Sequence, residues 1–288
     1  MTDSNDIMLF VSSSGHCTLN CRYCIIKPVA KNEPSLTTDD FRFLFNKFKG
    51  KKIIGLSGKG DFFAGYHPEE KLLWMILQEN VEVILDINGV FIHEFSQIPD
   101  RLIEKISAIN LTMHYQQLKH KGLLDVWCDN AMEIIRRRRD QLFLGSIISP
   151  LVAKYWDEAL SFYEQNIFKR TSFKITLVRD EINPMHSENE DMLENLEQKY
   201  AHIIQSVCQT DFSEPFKAVN NVLCPAGVNY FRIWNDGTVN GCPIMPELSN
   251  AGNIKAQKII LRNSYFECNN PHHCDCAHIH SRNKMIIL

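Results

Sequence analysis

Read for hydrophobic and polar pattern alone, the first 180 residues alternate between two periodicities. Short runs rich in β-branched and aromatic residues predict strands over 7–12, 52–57, 81–87, 109–114, 142–148 and 172–178. Between them, apolar positions recurring at helical spacing predict helices over 38–48, 68–79, 100–107, 122–138 and 152–166. Thr37, with Asp40 three residues on, has the form of a capping box at the start of the first helix. Strands and helices in strict alternation predict an α/β fold whose parallel sheet curls into a partial (β/α)6 TIM-like barrel. In that architecture chemistry is carried at the C-terminal ends of the strands.

Beyond residue 178 the pattern changes. Residues 179–191 are polar and turn-rich, and a helix is predicted over 190–207. A boundary is therefore expected near 183–215, giving a barrel over 1–183, a helical linker over 184–216, and a small cysteine-rich C-terminal domain over 217–288. In the last of these, Asn235-Asp236-Gly237 between the runs 230–234 and 238–239 signals a β-hairpin. No internal repeat or low-complexity tract is visible.

Composition narrows the class. A chain of 288 residues with 44% hydrophobic and 23% charged residues can bury a sizeable core, and no apolar window is long enough to span a membrane. The first ten residues are acidic before a short apolar run, unlike a targeting segment, so a cytoplasmic protein is expected. The net charge of −3 gives no footprint for nucleic acid, and the basic run Arg136 to Arg139 reads as a solvated helix end. In a reducing compartment the ten cysteines point to metal or catalysis rather than disulfides.

Eight of those ten fall in two groups. Cys17, Cys21 and Cys24 follow the first strand, while Cys224, Cys242, Cys268, Cys274 and Cys276 lie near the end. Structural zinc takes four ligands, which the first group does not supply. An iron–sulfur cubane held by three thiolates leaves one iron open to a small molecule. The segments Ser57 to Asp61 ("SGKGD"), Ile87 to Val90 and Met113 to Gln116 follow the second, third and fourth strands, and so share the face of the first cysteine group.

The stretch "CTLNCRYC" at this place in a β/α barrel resembles the signature of radical S-adenosylmethionine (AdoMet) enzymes, and the resemblance spans roughly residues 7–180. It implies that Cys17, Cys21 and Cys24 hold a [4Fe-4S] cluster whose open iron is chelated by the amino and carboxylate groups of AdoMet. One-electron cleavage then yields a 5′-deoxyadenosyl radical that takes a hydrogen atom from substrate. The resemblance assigns Tyr23 to the adenine and places "SGKGD" where the family contacts the AdoMet amino group. Gly58, Lys59, Gly60 and Asp61 thus become cofactor-binding candidates, with Asp61 standing in for the usual glutamate. Asn88 and His114 lie at strand ends where the family lines the cofactor, and a turn or packing role is the alternative for each. An electron donor such as flavodoxin or ferredoxin is implied.

Twelve residues separate Cys224 from Gly237 and four more precede Cys242. That spacing resembles the opening of the Twitch and SPASM auxiliary-cluster domains. The hairpin would return Cys242 towards Cys224, and two of Cys268, Cys274 and Cys276 would complete a second [4Fe-4S] cluster. His272, His273, His278 and His280 among these thiols leave zinc as the alternative metal. Cys128 and Cys208 read as core residues, or as hydrogen-atom donors to a substrate radical.

The expected reaction is dehydrogenation or epimerisation of a small sugar- or cyclitol-like natural-product precursor. With the first strand starting at residue 7, no fused leader-binding domain is expected, which favours a small substrate. Maturation of a ribosomal peptide by cross-linking or epimerisation is the alternative. A zinc-binding interaction module without catalysis is the alternative of another class.

Overall fold

The structure, a computed structural model, describes residues 6–24, 34–57, 60–66, 70–92, 95–180, 183, 185–209, 222–224, 226–242, 250–267 and 286–287. Gly58, Lys59, Cys268, Cys274, Cys276 and the four histidines near the C-terminus lie outside the described residues.

Parallel strands alternate with helices as the periodicity predicts. In chain order they are β1 (Ile7–Val11), α1 (Thr38–Lys47), β2 (Lys52–Leu56), α2 (Leu72–Gln78), β3 (Val81–Ile87), α3 (Asp100–Ile103), β4 (Ile106–Met113), α4 (Tyr115–His120), α5 (Leu124–Arg138), β5 (Leu142–Ile148), α6 (Trp156–Tyr163), α7 (Lys169–Thr171), β6 (Ile175–Arg179), α8 (Ser187–Lys199) and β7 (Ile204–Gln209). The capping box forms: Thr37 Oγ1 accepts from the Asp40 N–H at 3.2 Å while the Asp40 carboxylate accepts from the Thr37 N–H at 2.8 Å.

Two elements differ from the sequence expectation. The third helix ends at Ile103 rather than 107, because Ile106 already pairs with Val83 and begins β4. The helix expected over 190–207 stops at Lys199, and Ile204–Gln209 forms a seventh strand beside β6. No glycine or proline separates the two, so the period alone carried the helix too far, and the supposed helical linker contributes a strand to the sheet.

The C-terminal segment is joined to the barrel through the sheet. Beyond β8 (Val222–Cys224) come β9 (Tyr230–Ile233), β10 (Thr238–Asn240), β11 (Asn250–Asn253), β12 (Lys258–Ile259), β13 (Phe266–Glu267) and β14 (Ile286–Ile287). β9 lies parallel to β1, so the order among the described residues is β12-β11-β10-β9-β1-β2-β3-β4-β5-β6-β7, with β13-β8-β14 as a second sheet. The fold is thus a parallel α/β sheet in partial-barrel form followed by an antiparallel C-terminal region. Its hairpin closes at the expected turn, where the Trp234 N–H donates to Thr238 O and the Gly237 N–H to Trp234 O, each at 2.9 Å.

Alternation along the strands separates two layers. Leu9, Val11, Ile54, Leu56, Phe231 and Ile233 face the helices and join one core with Phe41, Leu44 and Phe48. Met8, Phe10, Ile53, Ile84, Asp86, Asn110 and Tyr230 instead line a cavity of about 40 Å³. Because β9 and β4 are four places apart in the sheet and both reach this cavity, the sheet curls around it.

The arginine run is a structural clamp rather than a solvated end. Arg137, only 8% exposed in its side chain, donates to Phe95 O, Ile98 O and the Asp100 carboxylate. Arg138 donates to Ile106 O and Arg139 to Thr171 O, while Arg136 pairs with Glu133. Arg137, Arg138 and Arg139 thus tie α5 and the turn after it to carbonyls near the ends of neighbouring elements.

Candidate functional site

β1 ends in Ser12, Ser13 and Ser14, all buried, and each is tied to a different neighbour. Ser12 N–H donates to Ile233 O at 2.9 Å and its hydroxyl to Ser57 O at 3.2 Å, bridging β9 and β2. Ser13 O accepts from the Tyr66 hydroxyl at 2.7 Å and the Leu36 N–H at 2.8 Å. Ser14 Oγ accepts from the His16 N–H at 2.9 Å and starts the turn that presents Cys17. This serine run, read from sequence only as the end of a strand, is what anchors the cysteine loop.

The loop after β2 holds it from the other side. The Asp61 N–H donates to His16 O at 2.7 Å. Gly60 has φ +80°, and a Cβ there would stand 2.3 Å from His16 O, so only glycine permits the two loops to approach this closely. Asp61 is 4% exposed and its carboxylate is engaged by backbone: Oδ1 accepts from the Phe63 N–H at 3.1 Å and Oδ2 from the Asn88 N–H at 2.7 Å. Burial is the main reason that its pKa rises to about 6, and those same hydrogen bonds oppose the rise. Asp61 here ties the β2 loop to the end of β3.

Asn88 extends the connection to the cysteines. Its Nδ2 donates to Thr18 Oγ1 at 3.2 Å and to Cys17 Sγ at 3.7 Å, while Oδ1 accepts from the Val90 N–H at 2.9 Å. Tyr23 is buried, and its hydroxyl is 2.9 Å from His114 Nδ1, with the two rings stacked at 5.9 Å and 22°. Burial lowers the pKa of His114 to about 4, so its ring is neutral near pH 7. Cys17, Asp61 and Asn88 are thus brought together, and so are Tyr23 and His114; five candidates singled out separately in sequence become two connected groups.

The cysteines themselves share one eight-residue loop, with the Cys24 N–H donating to Cys21 O at 3.1 Å. Cys17 and Cys24 are exposed, and Cys21 is half-buried. Burial raises the pKa of Cys17 and takes that of Cys21 to about 12, and charge on the neighbouring thiols adds to both shifts. A nucleophilic cysteine needs the opposite shift to that of Cys17 and Cys21, whereas in metal ligation coordination itself removes the proton. Among the described residues no three histidine, cysteine, aspartate or glutamate side chains converge on a single-ion site. A cubane asks less of them, because each thiolate binds a different iron.

In the C-terminal region Cys242 is buried at 5% exposure just beyond β10. Its neighbour Gly241 packs so tightly that a Cβ there would stand 2.6 Å from Gly227 N and 3.0 Å from Ala226 C. The hairpin therefore returns the chain to within two residues of Cys224 in sequence. In the second sheet Cys224 is paired with Phe266, two residues before Cys268. Cys128 is buried, its thiol donating to Asn166 O at 3.8 Å on the outer side of the barrel, and Cys208 lies on β7 beside Val178.

Sequence reasoning missed Arg232, Trp234 and Tyr66. For the first two the signal was present: alternation in "YFRIW" puts Arg232 and Trp234 on the same face as Tyr230, opposite Phe231 and Ile233. Among the described residues no helix is long and apolar enough to cross a membrane.

No family model matches the chain, and no curated protein is significantly similar to it in sequence. Among solved structures, native anSMEcpe with bound AdoMet and the Cp18Cys peptide is similar over 93% of this chain and 82% of its own, with a TM-score of 0.51 at 15% identity. SuiB from Streptococcus suis aligns over 84% of this chain and 61% of its own, with a TM-score of 0.42 at 11% identity. At these identities the first likeness is one of fold, and the second is too distant to carry an argument.

Proposed function

We propose that the protein is a radical AdoMet enzyme that modifies a peptide. The observation that carries the reading is the cysteine loop after β1, where three thiols in eight residues are anchored by the loops after β2 and β3 and would leave a cubane one ligand short. The fold supports it, being similar to that of a protein solved with AdoMet bound. Cys17, Cys21 and Cys24 would hold the cluster, which supplies the electron that cleaves AdoMet to the 5′-deoxyadenosyl radical.

Around it the chain's own residues position and exclude. Tyr23, locked by its hydrogen bond to a neutral His114, would present a fixed aromatic face to the adenine. Gly60 brings backbone close to the loop, and Asp61 acts by holding the β2 and β3 loops in register rather than by offering a free carboxylate. Gly58 and Lys59 remain candidates for the AdoMet amino and carboxylate ends. Met8, Phe10, Ile53 and Ile84 on the inner barrel face would help keep water and stray hydrogen donors from the radical.

A peptide substrate replaces the small sugar- or cyclitol-like precursor expected from the sequence, because the structure of similar fold was solved with a peptide as well as AdoMet bound. Cys224 and Cys242, brought near each other by the hairpin, would hold an auxiliary [4Fe-4S] cluster with two of Cys268, Cys274 and Cys276. Such a cluster would help hold substrate or take an electron from its radical. Purified and reconstituted without air, the protein should form 5′-deoxyadenosine from AdoMet and a strong reductant. Cys17→Ala, Cys21→Ala and Cys24→Ala should each abolish that product; persistence of the product in any of the three would refute the ligand set.

A further inference from the structure

On the inner face of the barrel, Arg232 stands opposite Phe10 in the register of β9 against β1. Its guanidinium carbon is 4.1 Å from the centroid of the Phe10 ring and 4.6 Å from that of Trp234. One Nη donates to Ser12 Oγ at 2.9 Å, while Nε is buried and has no hydrogen-bond partner. Among the described residues no carboxylate lies within ion-pair distance of Arg232. Tyr230 and Asp86 act on it only through space, and the Asp86 carboxylate accepts its hydrogen bond from the side chain of Asn110.

This arrangement is costly unless something completes it. A guanidinium carries five N–H donors in one plane, and a partly buried charge with no carboxylate in contact forfeits part of its hydration. Two aromatic faces offset part of that cost through cation–π attraction, which acts above and below the plane. The in-plane donors stay available, and their fork matches a carboxylate. Burial lowers the pKa of Arg232 to about 10, which still leaves it charged at neutral pH.

Position decides whose carboxylate it is. The hydroxyl of Ser12 that accepts from Arg232 also donates to Ser57 O, so the guanidinium opens at the end of the barrel that carries the cysteine loop. Gly60, Asn88, Tyr23 and His114 gather on the β1–β4 side of that opening, whereas β9 lies on the other flank of β1 and leads into the hairpin before Cys242. We infer that Arg232 binds a carboxylate of the substrate at the barrel mouth, between the AdoMet side and the C-terminal cysteines. The assignment to substrate rests on the proposed function; the carboxylate site itself does not.

Two measurements on the full, anaerobically reconstituted chain test it. In the first, the Nε–H resonance of Arg232 is identified in 15N-arginine-labelled protein by its loss in Arg232→Lys. Sodium acetate is then titrated against sodium chloride at matched ionic strength. A saturable shift of that resonance with acetate alone is expected; no shift, or the same shift with chloride, would overturn the site. In the second, AdoMet binding by equilibrium dialysis should be unchanged in Arg232→Lys, which keeps the charge and loses the fork. A loss of about tenfold or more, the size of one charge-assisted hydrogen bond, would show that the carboxylate is the cofactor's and overturn the assignment to substrate. If the unaltered protein shows the acetate shift but binds no AdoMet, the radical AdoMet reading fails and the assignment to its substrate is overturned with it.

Discussion

The two cysteine-bearing regions solve the same problem by different means. Cys17, Cys21 and Cys24 come from eight consecutive positions, and their loop is fixed by the end of β1, the close approach of Gly60 and the reach of Asn88. Cys224 and Cys242 are eighteen positions apart (242 − 224), and the hairpin of β9 and β10 returns Gly241, next to Cys242, onto Ala226 and Gly227. The remaining cysteines follow β13 in sequence, and β13 reaches Cys224 by pairing with β8. A site made from one loop needs that loop's anchors; a site made from distant segments needs the sheet. β9 serves both, since it supports the second region while lying against β1, the strand that carries the first.

The comparison breaks most visibly at the second region. Cys224→Ala and Cys242→Ala should each remove about half of the iron, roughly four of eight atoms if both sites hold cubanes, while leaving AdoMet cleavage without substrate intact. Iron analysis alongside 5′-deoxyadenosine quantification reads both. Loss of all iron would show that the two regions are one cooperative unit.

A smaller effect is expected at the anchors of the first region. Asp61→Asn puts an amide where Oδ2 now accepts from the buried Asn88 N–H at 2.7 Å, leaving one of the two groups without a partner at a cost of about 1–3 kcal/mol. Urea unfolding should show that loss, with Cys242 still protected from a thiol reagent under native conditions. Asp61→Asn unfolding at the wild-type midpoint would mean the carboxylate does not hold the loops together.

The smallest effect is a pH slope. Folding takes His114 from an ordinary value of 6.5 down to about 4, so between those values the unfolded chain holds a proton that the folded one lacks. The His114 contribution should therefore be full above pH 6.5 and be lost as pH is lowered from 6.5 towards 4, while Asp61, raised to about 6, contributes the opposite slope below that value. His114→Gln should remove the His114 contribution, and an unchanged slope would assign it to another group.

Much of this was legible in the chain because the determinants are local. Alternation found six of the barrel strands, the Thr37–Asp40 pair marked a helix start, and Asp236-Gly237 marked the hairpin. The placement of Cys17, Gly60, Asn88 and His114 at one end of the sheet followed from strand ends alone. What escaped notice depends on contacts distant in sequence. Ile204–Gln209 is a strand because β6 lies beside it, although its own residues continue a helical period without a break. The pairing of β9 with β1 joins residues more than two hundred positions apart, so neither the continuity of the C-terminal region with the barrel nor the entry of Arg232 into its lumen could be read from local pattern. The hydrogen bonds that tie the Asp61 carboxylate to Phe63 and Asn88 join the loops after β2 and β3, another link that local pattern does not carry.

The central claim is that a cluster held by Cys17, Cys21 and Cys24 keeps one iron open for AdoMet. Electron paramagnetic resonance of the reduced, reconstituted Cys242→Ala protein, which isolates the first site, tests it most directly. Adding AdoMet should shift the cluster's signal as its amino and carboxylate groups take the open iron. A signal unchanged by saturating AdoMet, or a protein that holds zinc without acid-labile sulfide, would contradict the account.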